Sequence, residues 1–123
     1  MKEVVAVLGA SENTERYSYQ AFQLLRKYGH KAIPVNPRLS SLEGEKVYPN
    51  LASIDEKIDT LTVYLSPDKS SSMEKEILKL RPKRIIFNPG AENPSLEEIC
   101  SKAGIDVERA CTLVLLRTNQ FEN

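Results

Sequence analysis

The chain has 123 residues, 41% hydrophobic and 28% charged, which is enough for one domain with a core of its own. Lys plus Arg and Asp plus Glu both number 17, so the formal net charge is zero, which excludes a general electrostatic grip on nucleic acid or an anionic membrane. The two cysteines, Cys100 and Cys111, lack CxxC spacing; they make neither a disulfide framework nor a zinc site and read as reduced thiols of a cytoplasmic protein.

Residues 4–8 form an apolar run that stops at Gly9, the pattern of a strand covered on both faces. The run is too short and too poorly flanked for a signal peptide, and nothing approaches the roughly 20 apolar residues of a membrane span. After a polar loop over residues 11–16, Ser18, Ala21, Phe22 and Leu25 fall at helical spacing, with Gly29 as the C-terminal cap. Residues 31–35 predict a second strand ending in the turn Asn36-Pro37. Ser53-Ile54-Asp55-Glu56 has the form of a capping box and predicts a short helix. Residues 61–65 predict a third strand. Ser66-Pro67 then opens a helix whose apolar side carries Met73, Ile77 and Leu80. Residues 84–87 predict a fourth strand that ends at Asn88-Pro89-Gly90. Asn93-Pro94-Ser95 opens a further helix, with Leu96, Ile99, Cys100 and Ala103 on one face and Gly104 at its end. Residues 105–107 are a short fifth strand. The apolar run 112–116 reads as a sixth strand or edge, buried or used as a homodimer or partner-subunit contact.

Strands alternating with helices through short connections imply one α/β domain over residues 1–123. Its fold is a Rossmann-like, doubly wound parallel sheet of about five strands with helices on both faces. Ligands of such sheets sit beyond the carboxyl ends of the strands, where the strand order reverses. The segments to inspect are therefore 9–18, 36–38, 66–67 and 88–92.

Gly9-Ala10-Ser11 follows the first strand directly. A glycine there lets a phosphate approach the backbone, and the following helix offers free N–H groups. Ser11, Arg16 and Ser18 add hydroxyl and guanidinium donors suited to phosphate. The dinucleotide fingerprint G-x-G-x-x-G is absent, since the chain reads Gly-Ala-Ser-Glu-Asn-Thr from Gly9. The acidic residue that would hold an unphosphorylated ribose is also missing. Val35-Asn36-Pro37-Arg38 instead suits a ribose bearing an extra phosphate, as in coenzyme A or NADP. A phosphate-accepting receiver domain is excluded, because the strands end in Leu8-Gly9 and Leu65-Ser66 without the acidic residues it needs. His30 is expected at the opposite end of the sheet. No nucleophile, base or metal constellation is read, so the chain is expected to bind rather than to catalyse alone.

Several segments together resemble the small stand-alone CoA-binding proteins. They are Gly9-Ala10-Ser11, Ser18, Pro34-Val35-Asn36-Pro37, Gly44 with Tyr48-Pro49 and Leu51, and Asn88-Pro89-Gly90-Ala91-Glu92. Those proteins are similar to the N-terminal CoA-binding domain of the succinyl-CoA synthetase alpha subunit. The resemblance implies coenzyme A or an acyl-CoA as the ligand. It implies Ser11, Arg16 and Ser18 around the phosphates, and Val35, Asn36, Pro37 and Arg38 at the adenosine end. Leu65, Ser66 and Pro67 would pack along the adenine or pantetheine, and Asn88, Pro89 and Gly90 would border the pantetheine arm. Asn88 stands where many relatives carry Gln, and Tyr17 lies where many have Pro nearby. The phosphate-carrying histidine domain of the synthetase has no counterpart here. An NADP-dependent oxidoreductase and a subunit active only in a complex are the alternatives. Cys111 reads either as a small buried hydrophobe or as a thiol close enough to the CoA thiol for a mixed disulfide.

Overall fold

The computed structural model describes residues 2–122. Five parallel strands form the main sheet: β1 (Val4–Leu8), β2 (Lys31–Val35), β5 (Thr60–Val63), β6 (Arg84–Phe87) and β7 (Asp106–Arg109), in the order β2-β1-β5-β6-β7. A small antiparallel hairpin, β3 (Ser41–Leu42) and β4 (Glu45–Lys46), lies between β2 and β5 in the chain. The helices are α1 (Tyr17–Lys27), α2 (Pro67–Ser71), α3 (Glu74–Leu80), α4 (Pro94–Lys102) and α5 (Thr112–Arg117). The chain is therefore an α/β protein of Rossmann-like architecture.

Strand pleating explains how the continuous apolar runs serve two cores. In β1, Ala6 and Leu8 face one side with Ile33, Val35, Leu61, Val63, Ile85 and Phe87, and α3 and α4 cover them through Ile77, Leu96 and Cys100. Val5 and Val7 face the other side with Ala32 and Ile86, beneath Phe22 and Leu25 of α1 and Leu116 of α5. The second core is interrupted by buried polar residues. The hydroxyls of Thr62 and Thr112 meet at 2.8 Å. Arg84, 3% exposed, donates to Thr60 at 3.0 Å and pairs with Glu3 and Glu108, each at 3.3 Å. Such a charge is tolerated in a core only when its donors are met this way.

α1 buries Ser18, Ala21, Phe22 and Leu25, and Gly29 ends it at φ +89° while the His30 amide returns to the Leu25 carbonyl. Three segments differ from expectation. Residues 112–116 are helical, not a strand or edge: Leu113 and Leu116 are buried one turn apart, Val114 between them is 53% exposed, and the Asn88 side chain accepts the Thr112 amide at 2.9 Å. The capping box at Ser53 does not open a helix. Asn50, three residues earlier, accepts the Ser53 amide and caps a single 3₁₀ turn over Leu51–Ser53, so Ser53 ends an element instead of starting one. The helix after Ser66-Pro67 is broken at Ser72-Met73 into α2 and α3. The charged, half-exposed β7 closes one sheet edge. The other edge, β2, is covered where Val35 bridges Tyr48 and the Tyr48 amide donates to the Pro34 carbonyl.

Candidate functional site

β1 and β5 are neighbours at the centre of the sheet, but the chain leaves β1 toward β2 and leaves β5 toward β6. Their following loops therefore diverge and leave a crevice at the carboxyl rim. A cleft of about 960 Å³ opens there. That lies at the upper end of small-molecule sites, which run to about 1,000 Å³.

Ten of the fifteen residues expected at the site line this cleft: Gly9, Ala10, Ser11, Arg16, Ser18, Val35, Asn36, Pro37, Arg38 and Leu65. The floor is rigid. The amides of Gly9 and Ala10 both donate to the Val35 carbonyl at 3.1 Å, so β1 and β2 are tied together and these two donors are used internally. Gly9 is demanded by the protein itself: it sits at φ +92°, and a Cβ would lie 3.0 Å from Leu65 Cδ2 and 3.3 Å from the Tyr64 carbonyl carbon. Asn36 clamps the two loops by donating to the Ala10 carbonyl at 2.6 Å while its Oδ1 accepts the Arg38 amide at 2.7 Å.

The loop into α1 is pre-formed by two successive side-chain turns. Ser11 Oγ accepts the Asn13 amide and Asn13 Oδ1 accepts the Glu15 amide, both at 3.0 Å. The Ser11 hydroxyl keeps its proton free to donate outward. Arg16 occupies the N-cap of α1 in an extended conformation, and no side chain among the described residues caps that helix. The first-turn amides of an 11-residue helix thus meet the cleft beside a guanidinium, an arrangement that favours an anion. Arg16, Arg38 and Lys69 all line the cleft, and none has a side-chain hydrogen bond or ion pair among the described residues.

Five expected residues do not line it. Ser66 and Pro67 form the exposed start of α2, and the Pro67 carbonyl accepts from Asn93 at 3.2 Å. Asn88 is buried, with its amide donating to Thr62 at 2.7 Å and to the Val63 carbonyl at 2.9 Å while its oxygen caps α5. Pro89 and Gly90 are exposed on the rim beside it. His30 is buried at the far end of the sheet, accepting the Glu3 amide through Nδ1 at 3.0 Å.

Glu15 and Tyr17, inside the 9–18 segment, also line the cleft, as do Pro49, Tyr64, Lys69, Ser72 and Met73, which lie outside the segments singled out in the sequence. The usable signal was Ser66-Pro67. A helix opening at the carboxyl end of a central strand must face the rim with its first turns, which brings Lys69 to the cleft. Burial pushes the Tyr64 phenol up to about 12, partly offset by the neighbouring Thr112 and Thr62 hydroxyls, and its own hydroxyl is enclosed. Burial likewise lifts the Cys100 thiol to about 11, whereas Cys111 is half-buried just ahead of α5, outside the cleft lining. Among the described residues, no group of three or more His, Cys, Asp or Glu could hold a metal, and no helix is long and apolar enough to cross a membrane.

Known proteins are similar to this chain in sequence and fold. A crystal structure of an uncharacterized protein superposes with a TM-score of 0.93 at 40% identity, covering 98% of this chain and 99% of that one. Bacillus subtilis YneT is 29% identical over 75 residues, which are 61% of this chain and 56% of that protein. The alpha subunit of Pyrococcus furiosus acetate–CoA ligase [ADP-forming] II is 35% identical over 66 residues, 53% of this chain but 14% of that subunit. The match thus spans little more than half of one relative's length and a small part of the other's. Residues 3–117 match the model of a family described as CoA binding domain, and the chain belongs to that family.

Proposed function

We propose that the cleft holds coenzyme A or an acyl-CoA and that the chain acts as one CoA-binding unit without catalysing a reaction alone. The observation that carries this reading is the set of three cleft cations without partners among the described residues, Arg16, Arg38 and Lys69, beside the uncapped start of α1. In this reading Ser11, Arg16 and Ser18 surround the diphosphate. Val35, Asn36, Pro37 and Arg38 flank the adenosine end, with Arg38 on the 3′-phosphate. Leu65, Pro49 and Met73 offer an apolar wall for the pantetheine arm. Ser66, Pro67, Asn88, Pro89 and Gly90 stay outside this set, because none of them lines the cleft and the Asn88 amide is bonded within the protein. The likeness to part of an acetate–CoA ligase subunit supports a second reading, in which a partner chain supplies catalytic groups.

The test is a thermal-shift series with CoA, acetyl-CoA, NADP, NAD and ADP. A ligand that binds only the folded state raises its apparent stability. CoA and acetyl-CoA are expected to give the largest shifts. A shift with NADP and none with CoA would overturn the assignment.

A further inference from the structure

Resting on the placement of Arg38 at the phosphorylated ribose, we propose that Tyr19 and Glu43 are positioning residues. Their hydrogen bond clasps the tip of the 36–48 excursion to α1 and thereby sets Arg38.

The excursion leaves β2 at Asn36 and returns at Tyr48. It is closed at its neck by the Asn36 amide donating to the Tyr48 carbonyl at 2.9 Å, and further out by the Val47 amide donating to Ser40 at 3.1 Å. At the mouth, Asn36 fixes the Arg38 amide. Leu42 and Val47 are buried in the core formed with Phe22 and Leu25, so the hairpin already rests on α1. What remains to be fixed is the orientation of its tip.

The tip is a two-residue turn, Glu43-Gly44, with φ of +49° and +82°. Turns with two positive φ values favour Asn, Asp or Gly at the first position, and glutamate is a poor choice for that backbone. Glutamate has what Asn and Asp lack there, namely reach. Its Oε2 accepts from the Tyr19 hydroxyl at 2.8 Å, and Tyr19 in turn accepts from Gln23 one turn along α1 at 3.3 Å. Local backbone preference and this contact therefore pull in opposite directions, and the residue present is the one that makes the contact. That conflict separates a stabilising role from a positioning one.

The experiment measures CoA and dephospho-CoA affinities by calorimetry, since the two differ only in the 3′-phosphate. Amide hydrogen exchange over residues 36–48 is followed without ligand in the same proteins. Glu43→Asn suits the turn but loses the contact. It is expected to leave the melting temperature equal or higher, to speed exchange in the excursion, and to weaken CoA relative to dephospho-CoA by up to about fivefold, the ceiling set by the worth of one hydrogen bond. Tyr19→Phe is expected to shift the affinity ratio and exchange in the same way. Glu43→Gln keeps an acceptor at the same reach and is expected to retain the unaltered ratio. If the unaltered protein prefers CoA and both contact-breaking variants keep that preference, the positioning role is overturned while the ligand assignment stands. Equal binding of CoA and dephospho-CoA by the unaltered protein would overturn the assignment of Arg38 and this inference with it.

Discussion

The two ends of the sheet treat their charged side chains in opposite ways. At the amino end every prominent charge is answered from within. Arg84 pairs with Glu3 and Glu108 and lies 4.6 Å from the Phe121 ring centroid. Asp59 accepts the Val4 amide at 2.8 Å and pairs with Lys83 at 3.4 Å. His30, whose charged form burial disfavours, accepts the Glu3 backbone amide and packs edge-on against the Phe121 ring. At the carboxyl end Arg16, Arg38 and Lys69 border an open cleft with no protein partner among the described residues. A charge that is paired and buried holds the fold together, whereas a charge held at a cleft wall and left open is available to a ligand. Altering the amino end should therefore change stability, and altering the carboxyl end should change binding.

Arg84→Ala tests the first half most severely. It strands Glu3 and Glu108 and removes the contact to Phe121, so unfolding in denaturant should show a loss of about 3–5 kcal/mol. A loss below about 1 kcal/mol would mean that the network is ornamental. Gly9→Ala lies on the boundary between the two halves. Its positive φ and the contacts at 3.0 Å and 3.3 Å should cost about 1–3 kcal/mol and distort the cleft floor, lowering both melting temperature and ligand affinity.

Arg16→Ala and Arg38→Ala test the second half. Each should weaken CoA roughly tenfold, as loss of one charge-assisted bond does, while denaturant stability stays within about 0.5 kcal/mol of the parent. If either arginine proves as important for folding as Arg84, the division between the two ends fails.

The smallest effect is the pH dependence contributed by the amino end. Burial, with help from Lys2, holds His30 below its ordinary value of 6.5. The unfolded chain takes up a proton near pH 6.5 while the folded chain resists, so proton uptake favours unfolding. The His30 contribution is complete above pH 6.5 and is lost as pH falls toward the lower folded value. The Asp59 carboxyl is held below its ordinary 3.8 by the Val4 amide and Lys83, and its contribution is lost as pH falls through that lower value. Stability measured between pH 7.5 and 5 should fall with acid, and His30→Gln should flatten that slope. Cleft substitutions should leave it untouched.

Much of this is legible in the amino-acid sequence alone. The helical spacing of Ser18, Ala21, Phe22 and Leu25 and the apolar run of β1 carry their own periodicity, and the loops after them carry Gly9, Arg16 and Arg38 to the rim. Other features depend on partners distant in sequence. Residues 112–116 have apolar character that suits strand or helix, and the Asn88 side chain, 24 positions earlier, caps the helical outcome. Ser53 carried a sound capping signal, but Asn50 competed for the same amide. Asn88 follows β6 directly, as its place in the sequence implies, but its side chain turns inward to Thr62.

Strand–helix alternation, the parallel sheet and the cationic character of its carboxyl rim follow from the amino-acid order, because periodicity and loop chemistry act over a few residues. Which donors remain open, that Gly9 answers to Leu65, that Lys69 and Met73 join the cleft and that Glu43 reaches Tyr19 were decided only when distant segments packed together. Hydrogen-bond capacity is shared among neighbours in space, and sequence order does not say who those neighbours are.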